Sequence, residues 1–397
     1  MPDILKISAV FIIIVLLLKR RWSLGLVMLL SSVILSVFYL LSPGDFLRAL
    51  LKAVTDKTTL MLAIALTLIR IFENITRKKG LMQEMMDSFR GMVMDRRILM
   101  ASMPALIGLL PSMGGALFSA PMVEEASKGI KVSPEKKAFI NYWFRHPWEF
   151  ILPLYPGVVL ASAISGYPLR NLIIANLPYS VCLIMGGILW GLKGVGVHKE
   201  GFKTITMRGL LSFLPLILIL IMVIVFHLDI SLSMGAVIVG LFVFLRYSFK
   251  EITVTIREGF SFEIIAIILG VMTFKAVLNA SGAVSNISTF FSEEGIPVLP
   301  VLFIIPFISG LLTGLTVGFV GSTFPIILGL ENTQNIASIS FAFASGYTGV
   351  LLSPVHLCLV LTREYFKAEM AGIYRKIIKG VLLILLTALA GYFMRIS

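Results

Sequence analysis

Apolar residues come in long blocks along this chain, and the blocks have membrane-crossing length. Windows of about 17–25 apolar residues are the unit of a spanning helix. The pattern predicts spans over 4–18, 23–42, 58–75, 138–165, 169–191, 209–227, 230–246, 259–279, 335–362 and 376–395. Two more apolar regions, 97–129 and 297–330, are interrupted by proline, glycine and hydroxyl residues. Each reads as a re-entrant hairpin that leaves by the side it entered. Residues 44–57, 80–92 and 247–258 mix charge with apolar groups at helical spacing, as helices lying along a membrane surface do. The expected fold is an all-α polytopic membrane protein: about ten transmembrane helices plus two re-entrant hairpins, with a broken helix after each hairpin.

The two halves match. Gly108-Leu109-Leu110 recurs as Gly310-Leu311-Leu312, an offset of 202, and Gly80 recurs as Gly282 at the same offset. Pro121 recurs as Pro325 (offset 204) and Pro153 as Pro354 (offset 201). Residues 1–200 therefore read as a first repeat, with hairpin 97–129 and broken helix 138–165. Residues 201–397 read as a second, with hairpin 297–330 and broken helix 335–362. Five full spans per repeat is an odd number, so the second copy is inverted, an arrangement that transporters use.

Composition agrees: 58% of the 397 residues are hydrophobic and 14% charged, with a mean hydropathy of +0.97. The net charge of +13 would suit nucleic acid, but its placement points elsewhere. With the hairpins re-entrant, 26 of the 34 basic residues fall in cytoplasmic segments, as the positive-inside rule requires. Both termini then lie outside a cytoplasmic (inner) membrane, and no nucleic-acid partner is needed. Residues 4–18 precede Lys19-Arg20-Arg21; a cleavable signal has the reverse order, so a retained first span is expected. Cys182 and Cys358 both sit in apolar runs, which supports neither a disulfide framework nor a zinc site.

The candidate chemistry lies at the breaks. A helix that stops inside the bilayer presents free N–H or C=O groups, which carry about half a unit charge at each end. The first repeat offers Ser112, Gly114 and Gly115 at a Pro-Ser-Met-Gly-Gly break, and Arg145, His146 and Glu149 at a second. Asn141 and Asn176 are polar residues on the spans beside it. The second repeat offers Thr313, Gly314 and Thr316, with Ser322 and Thr323 beyond, and then Ala344–Gly349, which holds Ser345, Tyr347 and Thr348. A guanidinium can grip a carboxylate or phosphate through two parallel bonds, so Arg145 is the sharpest ligand candidate; equally, it can pair with Glu149 one turn away. Glu149, His146 and His356 are candidate carriers of a coupling ion, since burial can tune a carboxyl and histidine titrates near neutrality. No P-loop, HExxH or GxSxG is present, which leaves gradients as the driving force and argues against zinc or serine intramembrane proteolysis.

The motifs LLPSMGGALFSAPMV with NYWFRHPWEF, and GLLTGLTVGFVGSTFPI with ASGYTGVLLSP, make the chain resemble the ion-transporter superfamily. Within that group, which includes gluconate permeases, citrate–metal symporters and dicarboxylate:sodium symporters, it is similar to a small prokaryotic integral-membrane family near the gluconate-permease type. The resemblance implies a homodimer in which scaffold spans hold still while a hairpin-bearing domain slides like an elevator. Sodium-coupled dicarboxylate members carry Ser-Asn-Thr at the hairpin tips, where this chain has Pro-Ser-Met-Gly-Gly and Thr-Gly-Leu-Thr, a departure that favours protons over sodium. The expected function is secondary transport of a small organic anion, with no enzyme activity and with H+ or Na+ as coupling ion. The alternatives are a translocase for an anionic lipid headgroup and an intramembrane enzyme acting on a lipid-linked substrate.

Overall fold

A computed structural model describes residues 3–111, 115–196, 207–283, 286, 289–290, 293–295, 297–330 and 335–396. Among these the chain is helical and has no strand. The helices are α1 (Asp3–Lys19), α2 (Leu24–Phe38), α3 (Pro43–Thr55), α4 (Lys57–Lys78), α5 (Leu81–Met92), α6 (Arg96–Gly108) and α7 (Ala116–Ala126). They continue as α8 (Pro134–Trp143), α9 (Pro156–Ser165), α10 (Leu169–Gly186), α11 (Met207–Leu211), α12 (Leu214–Leu220), α13 (Ile230–Phe244) and α14 (Phe249–Gly259). The last six are α15 (Phe262–Ala280), α16 (Val298–Thr313), α17 (Thr316–Ile327), α18 (Ile336–Leu352), α19 (Leu357–Phe366) and α20 (Met370–Ile396). Among the described residues six helical stretches are long and apolar enough to cross a membrane, so the protein is embedded in one.

Local chemistry explains the ends. Ser42, Asp56, Ser133 and Ser248 each cap a helix by accepting a backbone N–H, and Ser248 with Glu251 forms a full capping box. α14 is amphipathic; Lys78 pairs with Glu258 and Lys79 with Glu251 (3.1 Å), fixing α14 to the end of α4. Four helices carry internal prolines at matched places, Pro104 in α6 with Pro306 in α16, and Pro121 in α7 with Pro325 in α17.

The packing is reciprocal between the halves. α7 lies against α19 as α17 lies against α9; α8 meets α20 as α18 meets α10; α3 packs on α15 as α14 packs on α4. Backbone conformation repeats as well. Left-handed residues recur at Arg21 and His227, Leu40 and Arg246, Gly80 and Gly282, and Gly166 and Lys367. In the last pair glycine ends α9 (φ 77°), whereas a lysine ends α19 at φ 50°. A left-handed non-glycine residue costs about 1 kcal/mol. Lys367→Gly is therefore expected to raise the thermal unfolding midpoint of the detergent-solubilised protein and Gly166→Ala to lower it; unchanged midpoints would remove the strain.

Lys275, within α15, donates from Nζ to Ile164 O (2.6 Å), at the carbonyl end of α9, where a helix terminus favours positive charge.

Candidate functional site

The first break begins where α8 stops at Trp143. Pro147 cannot donate to a helical ladder, and residues 144–155 leave the α-helix apart from a single 3-10 turn at Pro147–Phe150. Pro156 then starts α9 at a position that needs no N–H. Bare carbonyls inside a membrane must find partners, and neighbouring side chains supply them. Tyr347 OH donates to His146 O (3.0 Å), Ser180 Oγ to Pro147 O (2.8 Å) and Asn176 Nδ2 to Phe150 O (3.2 Å). The non-α-helical stretch is also pinned to α6: Trp148 Nε1 donates to Ala105 O (2.7 Å) and Tyr155 OH to Gly108 O (2.6 Å).

The second break is shorter. α18 ends at Leu352, Ser353 to His356 are non-helical, and α19 follows. Tyr142 OH donates to Leu351 O and Tyr374 OH to Leu352 O, each at 3.0 Å. Gly314, left-handed at φ 63° between α16 and α17, sits directly over the break, and His356 Nδ1 bonds to its carbonyl at 2.7 Å. A Cβ on Gly314 would press on the His356 backbone.

The two breaks meet. His146 Nε2 and His356 Nε2 lie 3.0 Å apart, with Tyr142 packed against both rings. Glu149 Oε1 is 3.9 Å from His146 Nε2, while Thr316 Oγ1, at the start of α17, donates to Glu149 Oε2 at 2.5 Å. Cys358 Sγ and a ring nitrogen of each histidine all lie within 4.8 Å of one another. Arg145 is buried beside Cys358, Tyr155 and Glu149. The centre is sealed: His146 is 1% exposed, Arg145 4% and His356 7%. A cavity of about 270 Å³ lies elsewhere, among α5, α6 and α7 and lined in part by Asp87, Arg90 and Glu125.

Of the residues read from sequence, Arg145, His146, Glu149, Gly314, Thr316 and His356 come together here. Ser112 and Gly114 lie outside the described residues. Gly115 is buried just before α7. Asn141 ties elements together, donating from Nδ2 to Ala116 O and Thr362 Oγ1, both at 3.0 Å. The hydroxyls of Thr313, Ser322 and Thr323 bond back within their own helices, to Ser309 O, Gly318 O and Phe319 O. The expected break at Ala344–Gly349 is not there. Those residues belong to the uninterrupted α18, where Ser345 bonds to Phe341 O and Thr348 to Ser345 O. The reason is steric: glycine lets α18 approach the backbone of α16 at Phe307 and the ring of Phe319, and Pro354 is what stops the helix. Tyr347 reaches the site only through its bond to His146 O. Sequence reading placed Cys358 in an apolar run with no part in a metal site, whereas the structure groups it with His146 and His356. Its signal was available, a cysteine two residues after His356 and four after the helix-breaking Pro354.

Comparison with curated proteins gives no match. A family model described as "Protein of unknown function (DUF401)" matches residues 5–394. Spanning nearly all of the sequence, that match shows that the chain belongs to the DUF401 family.

Proposed function

We propose that the protein is a secondary active transporter of a small organic anion, a carboxylate such as a sugar acid, driven by a proton or sodium gradient across the cytoplasmic membrane. The observation that carries this reading is the convergence of two helix breaks on Arg145, His146, Glu149, Thr316 and His356 in a sealed interior. Ionisable groups at membrane depth are costly and serve ion and solute pathways. Arg145 holds the anion, with the N-terminal end of α17 adding partial positive charge. Glu149 is the coupling group, since a carboxylate can take a proton or ligate sodium.

The architecture behind it is an inverted repeat of five spans and a re-entrant hairpin in each half, both termini outside. Reciprocal packing and the matched left-handed residues support this, as does a shared backbone approach: a Cβ on Gly108 would land on Arg145 O, and one on Gly310 on Gly346 O. α6–α9 with α16–α19 form the moving body of an elevator, and α2, α4, α13 and α15 pack together as its scaffold, in a homodimer. Because the centre is closed, access to either side requires that motion.

The test is reconstitution into liposomes with an imposed proton or sodium gradient, and uptake of labelled sugar acids, dicarboxylates and tricarboxylates. A bound substrate at 100 times its Kd stabilises the native state by about 2.7 kcal/mol, so thermal unfolding screens the panel first. If no organic acid either shifts unfolding or accumulates, the reading fails.

A further inference from the structure

His146 and His356 hold their rings in the same way. His146 Nδ1 lies 2.5 Å from Tyr142 O and His356 Nδ1 lies 2.7 Å from Gly314 O. A carbonyl oxygen only accepts, so each Nδ1 carries the hydrogen. The two Nε2 atoms are then both acceptors, and they face each other at 3.0 Å in the buried centre. Opposed lone pairs at that distance repel unless a cation lies between them. A proton would satisfy the nitrogens alone. A metal ion would also use Cys358 Sγ, which lies within 4.8 Å of a ring nitrogen of each histidine, and would have the negative charge of Glu149 Oε1 3.9 Å from His146 Nε2.

We propose that His146, His356 and Cys358 Sγ bind one zinc ion through the two facing Nε2 atoms and the sulfur, with the Glu149 carboxylate beside an open fourth position. Tetrahedral zinc with bonds of about 2.0–2.1 Å to nitrogen and 2.3 Å to sulfur sets its ligand atoms roughly 3.3–3.7 Å apart, against 3.0 Å between the two nitrogens and no more than 4.8 Å across the cluster. Metal-bound histidines characteristically give their other N–H to a backbone carbonyl, which is how both rings are held. Imidazole and thiolate together select a transition metal over magnesium or calcium. Binding releases the Cys358 thiol proton to solvent. Thiolate and carboxylate then balance the dication, and the guanidinium of Arg145 remains as the surplus positive charge beside them. The ligands come from both halves, so the ion would fasten the first break to the second.

The experiment uses the full chain, purified in detergent with a histidine-free tag, stripped with chelator and titrated with zinc or cobalt(II). One zinc per chain is expected, and a thiolate-to-cobalt charge-transfer band. Cys358→Ser, a near-isosteric change, is expected to abolish that band and weaken zinc binding by at least about tenfold. Cys182→Ser should leave both unchanged. Less than about 0.2 zinc per wild-type chain, or a charge-transfer band that survives Cys358→Ser, overturns the proposal. Wild-type metal content decides the matter even if a variant fails to fold, and it is read without any transport measurement.

Discussion

Proteoliposomes carrying Arg145→Ala are expected to take up no organic anion above the protein-free background. A bidentate guanidinium–carboxylate contact contributes two charge-assisted bonds of about 1.5–3 kcal/mol each. Losing about 3 kcal/mol is already a factor of at least 100 in binding. Arg145→Lys keeps the charge and loses the fork, so it should restore no more than about a tenth of wild-type uptake. Arg145 also faces Cys358 and Glu149 in the interior, and breaking a buried charge pairing costs about 3–5 kcal/mol. Uptake must therefore be normalised to monodisperse protein. Full activity in Arg145→Lys would reduce Arg145 to a counter-charge and remove it from the anion site.

The second large effect concerns packing. α16 and α18 cross so closely at Gly310 that an added Cβ would fall on the carbonyl oxygen of Gly346, and Gly108 stands in the same relation to Arg145 O. Backbone cannot swing aside as a side-chain tip can, so the helices would have to part. Gly310→Ala is expected to cost about 3 kcal/mol or more, read as a lower unfolding midpoint and a poor yield of folded protein. Gly108→Ala should do the same and also displace Arg145. Gly240→Ala is the control: nothing lies within 4 Å of its Cβ position, and alanine is the better helix former. If Gly310→Ala and Gly240→Ala unfold alike, close backbone contact does not hold the two breaks in place.

Much of the architecture was legible one segment at a time. The expected span at 169–191 became the membrane-length stretch Leu169–Leu192, and the segments read at 4–18, 44–57 and 247–258 became the helices Asp3–Lys19, Pro43–Thr55 and Phe249–Gly259. The misplaced break shows the limit of that reading. Ala344–Gly349 contains two glycines and three hydroxyl side chains, which look like unwound backbone when taken alone. In the fold those glycines are contact surfaces for α16 and Phe319, and the hydroxyls bond within their helix.

The sequence by itself determined the class of protein, many of its helical segments and the break at Arg145–Pro147, whereas the second break, expected at Ala344–Gly349, falls at Ser353–His356. In lipid each backbone group must be satisfied within its own segment, so apolar length and proline position are local facts. Only the tertiary structure decided which polar groups share a centre. His146 and His356 are 210 positions apart, and Cys358 gave no sign alone of facing both. That encounter depends on how α6, α8, α16 and α18 pack across the two halves, and no periodicity along the chain encodes it.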